Sequence, residues 1–130
     1  SEYHEWVAEN GVVIVQIENI KGVENLEEIL SVEGVQGFLI GPFDLSASLG
    51  IPGQLEHPLM NETLKRIHKV ADRFPRIAKG IHKVSISPEP VIQAFKDGFR
   101  LVAYSADMHF IRESCSNGMQ SIRAVMERKD

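Results

Sequence analysis

Two carboxylates each follow a short apolar run of the sequence. Glu18 ends the run over residues 11–18, and Asp44 comes three residues after the run over residues 35–41. A continuous apolar run of this length is typical of a parallel strand covered on both faces. The ends of adjacent parallel strands lie about 4.8 Å apart, where two carboxylates repel unless a cation or a proton lies between them. A divalent cation that prefers oxygen ligands, such as Mg²⁺ or Mn²⁺, removes this repulsion.

Each carboxylate also has a simpler explanation when taken alone. Glu18 is then solvated where its strand ends, and Asp44 is a loop cap that accepts hydrogen bonds from the amides of Ser46 or Ala47. The two residues together favour the metal site. Strand alternation supports it, because it places Gln16 and Glu18 on the same face and leaves a purely apolar face opposite.

Four strand–helix units are expected along the chain. Pro58 opens the clearest helix, since the fixed φ of proline suits a first helical turn, and Pro75 lies just past its end. Asp107 is expected to cap the last helix, and Gly118 to interrupt it. The stretch between residues 43 and 58 is expected to be a loop. The predicted strands are 11–18, 35–41, 77–82 and 99–105, and the other predicted helices are 22–32 and one from residue 87 to about 98.

This alternation predicts a parallel α/β architecture, because parallel strands need crossover connections and these are usually helices. A flavodoxin-like open sheet and part of a (β/α)8 barrel both satisfy the pattern. A complete barrel needs at least about 200 residues. The 130 residues, with four units, therefore predict one partial domain over 1–130. The sequence does not begin with Met, which favours a chain that starts within a domain.

Composition excludes several classes of protein. The net charge of −4 gives no basic surface for nucleic acid, and no apolar run is long enough to span a bilayer. The N-terminal residues are polar and acidic, unlike a signal peptide. Cys115 is the only cysteine, which excludes an internal disulfide and agrees with a reducing compartment. We therefore predict a cytoplasmic protein without nucleic-acid or membrane partners.

Two motifs point to a known family. The segment Val-Gln-Ile-Glu at 15–18 and the segment Gly-Pro-Phe-Asp-Leu-Ser-Ala-Ser-Leu-Gly at 41–50 closely resemble the HpcH/HpaI aldolase/citrate lyase family. The nearest likeness is to 2-oxo-acid aldolases acting on 4-hydroxy-2-oxoheptanedioate or 2-dehydro-3-deoxyglucarate, and it continues to Asp107. It implies a (β/α)8 barrel of the phosphoenolpyruvate/pyruvate type, of which this chain matches the C-terminal half.

The resemblance also implies a site and a reaction. Glu18 and Asp44 match the two protein ligands of a divalent metal, which is Mg²⁺, Mn²⁺ or Co²⁺. Gln16 matches a glutamine that borders the metal, the N–H groups of Phe43 and Asp44 match those that hold the substrate carboxylate, and Ala106 matches an apolar residue of the pocket. The implied reaction is class II aldol cleavage of a 2-oxo acid to pyruvate and an aldehyde.

Part of the family machinery has no counterpart in this sequence. The family also uses an arginine and a histidine from the first half of its barrel, and no residue here aligns with them. The resemblance therefore implies that this chain binds metal and a small 2-oxo acid with little aldolase turnover. Two other functions stay open: a citrate-lyase-like enzyme that cleaves a CoA thioester, and a non-catalytic metal-binding, acid-binding or assembly module. The exposed edges of a half barrel also predict a homo-oligomer.

The histidines add little at this stage. His82 ends the third predicted strand. Two roles are open for it: it faces the site, or it is an ordinary loop residue. The loop role is favoured. His57 is expected to be structural at the end of its loop. His68 is expected to pack, or half pack, on an otherwise apolar helical face.

Overall fold

The computed structural model describes residues 1–127, which form a four-stranded sheet with helices between the strands. All four strands are parallel and lie in chain order, β1-β2-β3-β4. This confirms the predicted α/β class with four β/α units. The strands are β1 (Val13–Ile17), β2 (Val35–Ile40), β3 (Ala78–Lys83) and β4 (Leu101–Tyr104), and the helices are α1 (Glu2–Asn10), α2 (Ile20–Glu24), α3 (Leu26–Leu30), α4 (Pro42–Ser48), α5 (Pro58–Ala71), α6 (Glu89–Lys96) and α7 (Asp107–Met126).

The register aligns the carboxyl ends of the strands. Ile17 pairs with Ile40, and Ile40 pairs with Ile81. All three side chains are at most 2% exposed and belong to the core under the helices. Because successive residues of a strand point to opposite faces, the next residue of each strand faces away from that core. Glu18, Gly41 and His82 therefore share the other face at this edge of the sheet.

That other face of the sheet is open. Ile14 is 46% exposed, and Gln16, which pairs with Leu39, is exposed as well. Leu39 and Leu101 on the neighbouring strands are only partly buried. The sheet thus has one face packed under helices and one face that presents its side chains freely.

Helix α5 forms as the sequence predicts. The Nδ1 atom of His57 accepts a hydrogen bond of 3.1 Å from the amide of Leu59, so this histidine caps the helix, and Pro58 occupies its first turn. The structural role expected for His57 is confirmed. The buried face of the helix repeats at helical spacing and consists of Met60, Thr63, Ile67 and Ala71.

Two predictions about local structure are wrong. The stretch expected to be a loop after residue 43 begins with α4, because Pro42 suits a first helical turn and Leu45 and Ser46 bury one side of it. The helix expected over 22–32 is two short helices, α2 and α3, which meet at Asn25. Asn19 starts α2 by accepting a hydrogen bond of 2.9 Å from the amide of Gly22.

The two ends of the chain differ from expectation as well. The cap of α7 is Ala106, whereas Asp107 is the first helical residue and accepts a hydrogen bond from the amide of Met108. Gly118 lies inside α7 without ending it, since one glycine costs a helix only about 1 kcal/mol. Helix α1, which was not predicted, has no buried residue. Within residues 1–127, every helix is too short or too polar to cross a bilayer.

Candidate functional site

The side chains of Gln16 and Glu18 converge on Gly41 of the neighbouring strand. A β-carbon built on Gly41 would lie 3.1 Å from Nε2 of Gln16, 3.2 Å from Cβ of Glu18 and 3.4 Å from Oε2 of Glu18. The first two distances are shorter than ordinary van der Waals contact between heavy atoms, and the third is at the lower limit of that range. The absence of a side chain at position 41 therefore leaves room for the amide and the carboxylate to lie over β2.

Asp44 lies in the first turn of α4, directly after the strand that pairs with β1. The amide of Gly41 donates to the carbonyl of Ile17, so the ladder between the two strands extends to the beginning of this helix. Asp44 is exposed, and none of the hydrogen bonds among residues 1–127 ends on its carboxylate. The loop-cap explanation, with bonds from Ser46 or Ala47, therefore has no support in the structure.

The first turn of α4 also presents two free amides. Leu45 makes the first intrahelical bond, to the carbonyl of Gly41. Within the described chain the N–H groups of Phe43 and Asp44 have no acceptor, as is usual for the first turn of a helix. Such N–H groups carry partial positive charge and favour an anion. They belong to the two residues that the family resemblance assigns to the substrate carboxylate.

Two serines of α4 hold this helix in place. The Oγ atom of Ser48, at the end of α4, accepts a hydrogen bond of 2.9 Å from the amide of Ile20, two residues after Glu18. The fully buried Ser46 donates to the carbonyl of Phe43 at 2.6 Å and accepts from the amide of Gly53 at 2.9 Å. The bond from Ile20 holds α4 against the segment after β1, and the bond from Gly53 holds α4 to the segment that follows it. Nothing in the sequence signals the link between Ser48 and Ile20, which lie 28 residues apart.

The donor set suits a hard cation. Carboxylate and amide oxygens are the ligands of Mg²⁺ and Mn²⁺, and Mg²⁺ is commonly held by only one or two carboxylates, with water or substrate at its other positions. Residues 1–127 contain no cluster of three or more His, Cys, Asp or Glu side chains arranged for a metal ion. The residues present therefore fit a cation whose ligands are two carboxylates and a bound molecule. They do not fit a closed structural site, in which protein side chains supply every ligand.

Ala106 lies at the same edge of the sheet, after β4, and is half-buried. Two strands, β2 and β3, lie between β4 and the strand that precedes Glu18. The residue before it, Ser105, has a φ of 55°, in the left-handed region that usually takes glycine. The carbonyl of Ser105 lies 3.2 Å from Nε2 of His82. Nothing in the sequence signals this contact, because a serine does not mark a left-handed residue.

A cavity of about 390 Å³ lies between α5, α6 and the end of β3. Pro42 and Phe43 line it from α4, and His82 lines it from β3, whereas Gln16, Glu18 and Asp44 are not among its walls. The remaining lining is mixed, with polar residues such as Asn61 and Gln93 next to apolar ones. The cavity therefore shares α4 with Asp44 and contains neither of the two carboxylates.

Relatives of the chain are named as aldolases. A hydroxypyruvate/pyruvate aldolase of Roseobacter denitrificans is 45% identical over 98 residues, which is 74% of this chain and 36% of that protein. A 2-keto-3-deoxy-L-rhamnonate aldolase of Escherichia coli is 37% identical over 95 residues, which is 73% of this chain and 34% of that protein. The chain thus spans about a third of the length of these curated relatives.

Solved structures agree with these matches. The crystal structure of an HpcH/HpaI aldolase from Desulfitobacterium hafniense superposes with a TM-score of 0.81 and 32% identity, over 93% of this chain and 47% of that one. This coverage agrees with the predicted half of a barrel. The family model described as HpcH/HpaI aldolase/citrate lyase matches residues 3–114. The chain therefore belongs to the HpcH/HpaI aldolase/citrate lyase family.

Proposed function

We propose that this chain is the metal-binding portion of a class II aldolase that cleaves a small 2-oxo acid to pyruvate and an aldehyde. Glu18 and Asp44 hold the divalent cation, Mg²⁺ or Mn²⁺, with Co²⁺ as a further candidate, and Gln16 borders it. The N–H groups of Phe43 and Asp44 bind the carboxylate of the substrate, and Ala106 lines the pocket on the far side. The observation that carries the proposal is the convergence of Gln16 and Glu18 over Gly41, next to the helix that bears Asp44.

The residues of this chain bind and orient the acid. The two free amides of α4 fix its carboxylate, and Gly41 keeps open the space in which its keto group lies against Gln16 and Glu18. A divalent cation bound here acts as a Lewis acid that stabilises negative charge on the keto oxygen. The family resemblance places the arginine and the acid/base histidine outside the part that this chain matches. We therefore propose that the 130 residues alone bind metal and acid and turn over little.

Manganese binding tests the metal site. Full-length Glu18→Gln and Asp44→Asn variants remove one negative charge each with little change of shape. Each variant should raise the dissociation constant for Mn²⁺ by at least about tenfold, the lower end of what even outer-shell residues contribute. Calorimetry or the electron paramagnetic resonance of free Mn²⁺ measures the constant directly.

The matched control is Glu28→Gln, which removes the same charge from an exposed position on α3. It should leave Mn²⁺ binding unchanged. Wild-type affinity in both site variants would show that the two carboxylates do not share an ion, and the proposed function would then fail.

We also propose that the chain is a homo-oligomer and that it is cytoplasmic. The first proposal is supported by the open face of the sheet and by α7, in which no residue is buried. The second rests on Cys115, which is a free, exposed thiol.

A further inference from the structure

We propose that the cavity between α5, α6 and the end of β3 binds a free α-amino acid with an apolar side chain. The carboxylate of the ligand pairs with Lys83, and its ammonium group pairs with Glu56, both of which line the cavity. This site is independent of the proposed function, because neither residue belongs to the carboxylate pair or to the amides of α4, and it needs no metal ion.

Lys83 lies on the helix-covered face of the sheet, and not on the face that carries Glu18. It follows Ile81 by two residues on β3, so that both side chains point to the same side of the sheet. Ile81 is 2% exposed and packs in the core under the helices. The side chain of Lys83 therefore enters the space between α5 and α6, where it forms part of the cavity wall.

A second cavity, of about 290 Å³, continues the first. Four residues line both of them: Phe43, Leu55, Glu56 and Lys83. The two cavities thus form one groove, with Lys83 and Glu56 at the junction. Its volume lies in the range of small-molecule sites, which is about 300–1,000 Å³.

Lys83 and Glu56 carry opposite charges on the walls of this groove, yet no ion pair joins them. Within residues 1–127, neither the ammonium group of Lys83 nor the carboxylate of Glu56 has a hydrogen-bond partner or an ion-pair partner. Lys83 is half-buried, so its charge loses part of its hydration without compensation. A ligand that carries both charges supplies both missing partners at once.

The backbone of Glu56 is fixed beside the groove. The side-chain amide of Asn61, on α5, donates a hydrogen bond of 3.3 Å to the carbonyl of Glu56. The next residue, His57, caps the same helix through its bond to the amide of Leu59. The segment that carries Glu56 is therefore attached to α5, and its carboxylate is held next to the cavity that it lines.

A second carboxylate favours a zwitterion over a simple anion. Asp97 also lines the first cavity, where its Oδ1 atom accepts a hydrogen bond of 2.8 Å from Gln93. A monocarboxylate or a phosphate would meet the charge of Lys83 but would be repelled by Glu56 and Asp97. An amino acid avoids this repulsion, because its ammonium group faces the carboxylates.

Apolar side chains line the remaining wall of the groove. Phe43 is 47% exposed, Leu55 and Leu64 are partly buried, and Met60 is buried. An aliphatic side chain that covers the ring of Phe43 removes apolar surface of both molecules from water. This wall therefore favours an amino acid such as leucine over a polar one.

L-Leucine tests the proposal on the ¹⁵N-labelled full chain. The buffer contains a chelator, so that the amino acid cannot bind to Glu18 and Asp44 through a cation. The backbone amide resonances of Leu55, Lys83 and Val84 should shift and saturate, whereas those of α1 should not. 4-Methylpentanoate lacks the ammonium group and 3-methylbutylamine lacks the carboxylate. Each should bind at least about tenfold more weakly, the lower end of what a hydrogen bond to a charged group contributes.

Lys83→Met and Glu56→Gln each remove one charge with little change of length. Each variant should raise the dissociation constant for L-leucine by at least about tenfold, and its own amide spectrum reports whether it is folded. The matched controls are Lys65→Met and Glu28→Gln, the same kinds of substitution at exposed positions outside the groove. Both controls should bind L-leucine as the wild type does.

Three results would overturn the proposal: groove resonances that do not move at millimolar L-leucine, wild-type affinity in either Lys83→Met or Glu56→Gln, or equally tight binding of 4-methylpentanoate. None of them affects the proposed function, which depends on the binding of Mn²⁺ by Glu18 and Asp44. Conversely, a chain that fails to bind Mn²⁺ should still bind L-leucine.

Discussion

Glu18 and Gly41 lie side by side at the carboxyl edge of the sheet, so close that a β-carbon at position 41 would be 3.2 Å from Cβ of Glu18. The φ of Gly41 is −97°, which any residue adopts. Space, and not backbone conformation, therefore explains why a glycine suits this position. The space is the one into which the carboxylate of Glu18 and the amide of Gln16 extend.

Gly41→Ala should accordingly damage the site more than the fold. The added methyl group requires the Gln16 amide, at 3.1 Å, and the β-carbon of Glu18, at 3.2 Å, to give way by a few tenths of an ångström. The amide is the flexible end of a side chain, whereas the β-carbon moves only with the backbone at the end of β1. We expect Mn²⁺ affinity to fall about tenfold and the free energy of unfolding to fall by no more than about 1–2 kcal/mol. Mn²⁺ titration and urea unfolding of the same samples measure the two quantities.

Gly22→Ala is the matched control for this substitution. A β-carbon there would meet Asn19 and Ile17 at 3.7 Å, an ordinary contact distance, inside α2. Its Mn²⁺ affinity should equal that of the wild type. Equal losses of affinity in both variants would mean that Gly41 contributes to folding and not to the site.

A second relationship concerns His68 and Lys79, whose Nδ1 and Nζ atoms are 2.8 Å apart. Lys79 has no acceptor lone pair, so the contact requires a neutral imidazole that accepts at Nδ1. The Nζ atom also lies 3.3 Å from Oδ1 of Asp72, and Phe99 packs edge-on against the imidazole. The packed or half-packed role expected for His68 from the sequence is confirmed.

This cluster predicts a loss of stability in mild acid. Burial, and after it the charge of Lys79, lowers the pKa of His68 below its ordinary value of 6.5, although Asp72 and Asp97 oppose the shift. As the pH falls below about 6.5, the unfolded chain takes up a proton before the folded chain does. The free energy of unfolding therefore falls with the pH in that range and receives no contribution from His68 at higher pH.

His68→Gln tests this assignment, because its side chain can still accept from Lys79 but does not titrate. Urea unfolding at several pH values between 5 and 8 should show a smaller decline below pH 6.5 than in the wild type. His4→Gln on the exposed helix α1 should leave the decline unchanged. A decline of wild-type size in His68→Gln would mean that other groups cause it.

The sequence was sufficient to predict the strands, and the positions of Glu18 and Asp44 after two of them, for a definite reason. Apolar runs such as the one that ends at Glu18 have few alternatives to a buried parallel strand. The placement of Asp44 just after the next strand follows from the same pattern. The distance between the two carboxylates depends on side-chain rotamers, which no pattern specifies.

What the sequence could not predict depends on contacts between distant residues. The bond from Ile20 to Ser48 joins segments 28 residues apart, and the bond from His82 to Ser105 joins segments 23 residues apart. Helix α4 was missed because its seven residues begin with a proline and contain turn-forming serines, a pattern equally typical of a loop. Local propensity is weak in such short segments, so tertiary packing decides whether they form a helix.

Helix α7 carries an apolar stripe that supports self-association. Its residues recur at intervals of three and four, which places them on one side of the helix. All of the large apolar members are at least 49% exposed. The stripe consists of Met108, Ile111, Met119, Ile122 and Met126, with Cys115 between them.

The last prediction is that this stripe holds copies of the chain together. Soluble proteins rarely leave a continuous apolar surface of this length in water, and the edges of the sheet, on β1 and β4, add unpaired backbone groups. Light scattering at low concentration should give a mass that is a multiple of 14.6 kDa. Ile111→Asp combined with Ile122→Asp should shift the mass to that of one chain, because each carboxylate would be buried without a partner. Gln120→Lys, on the opposite side of the same helix, should keep the oligomer. A wild type that stays monomeric at micromolar concentration would contradict the prediction.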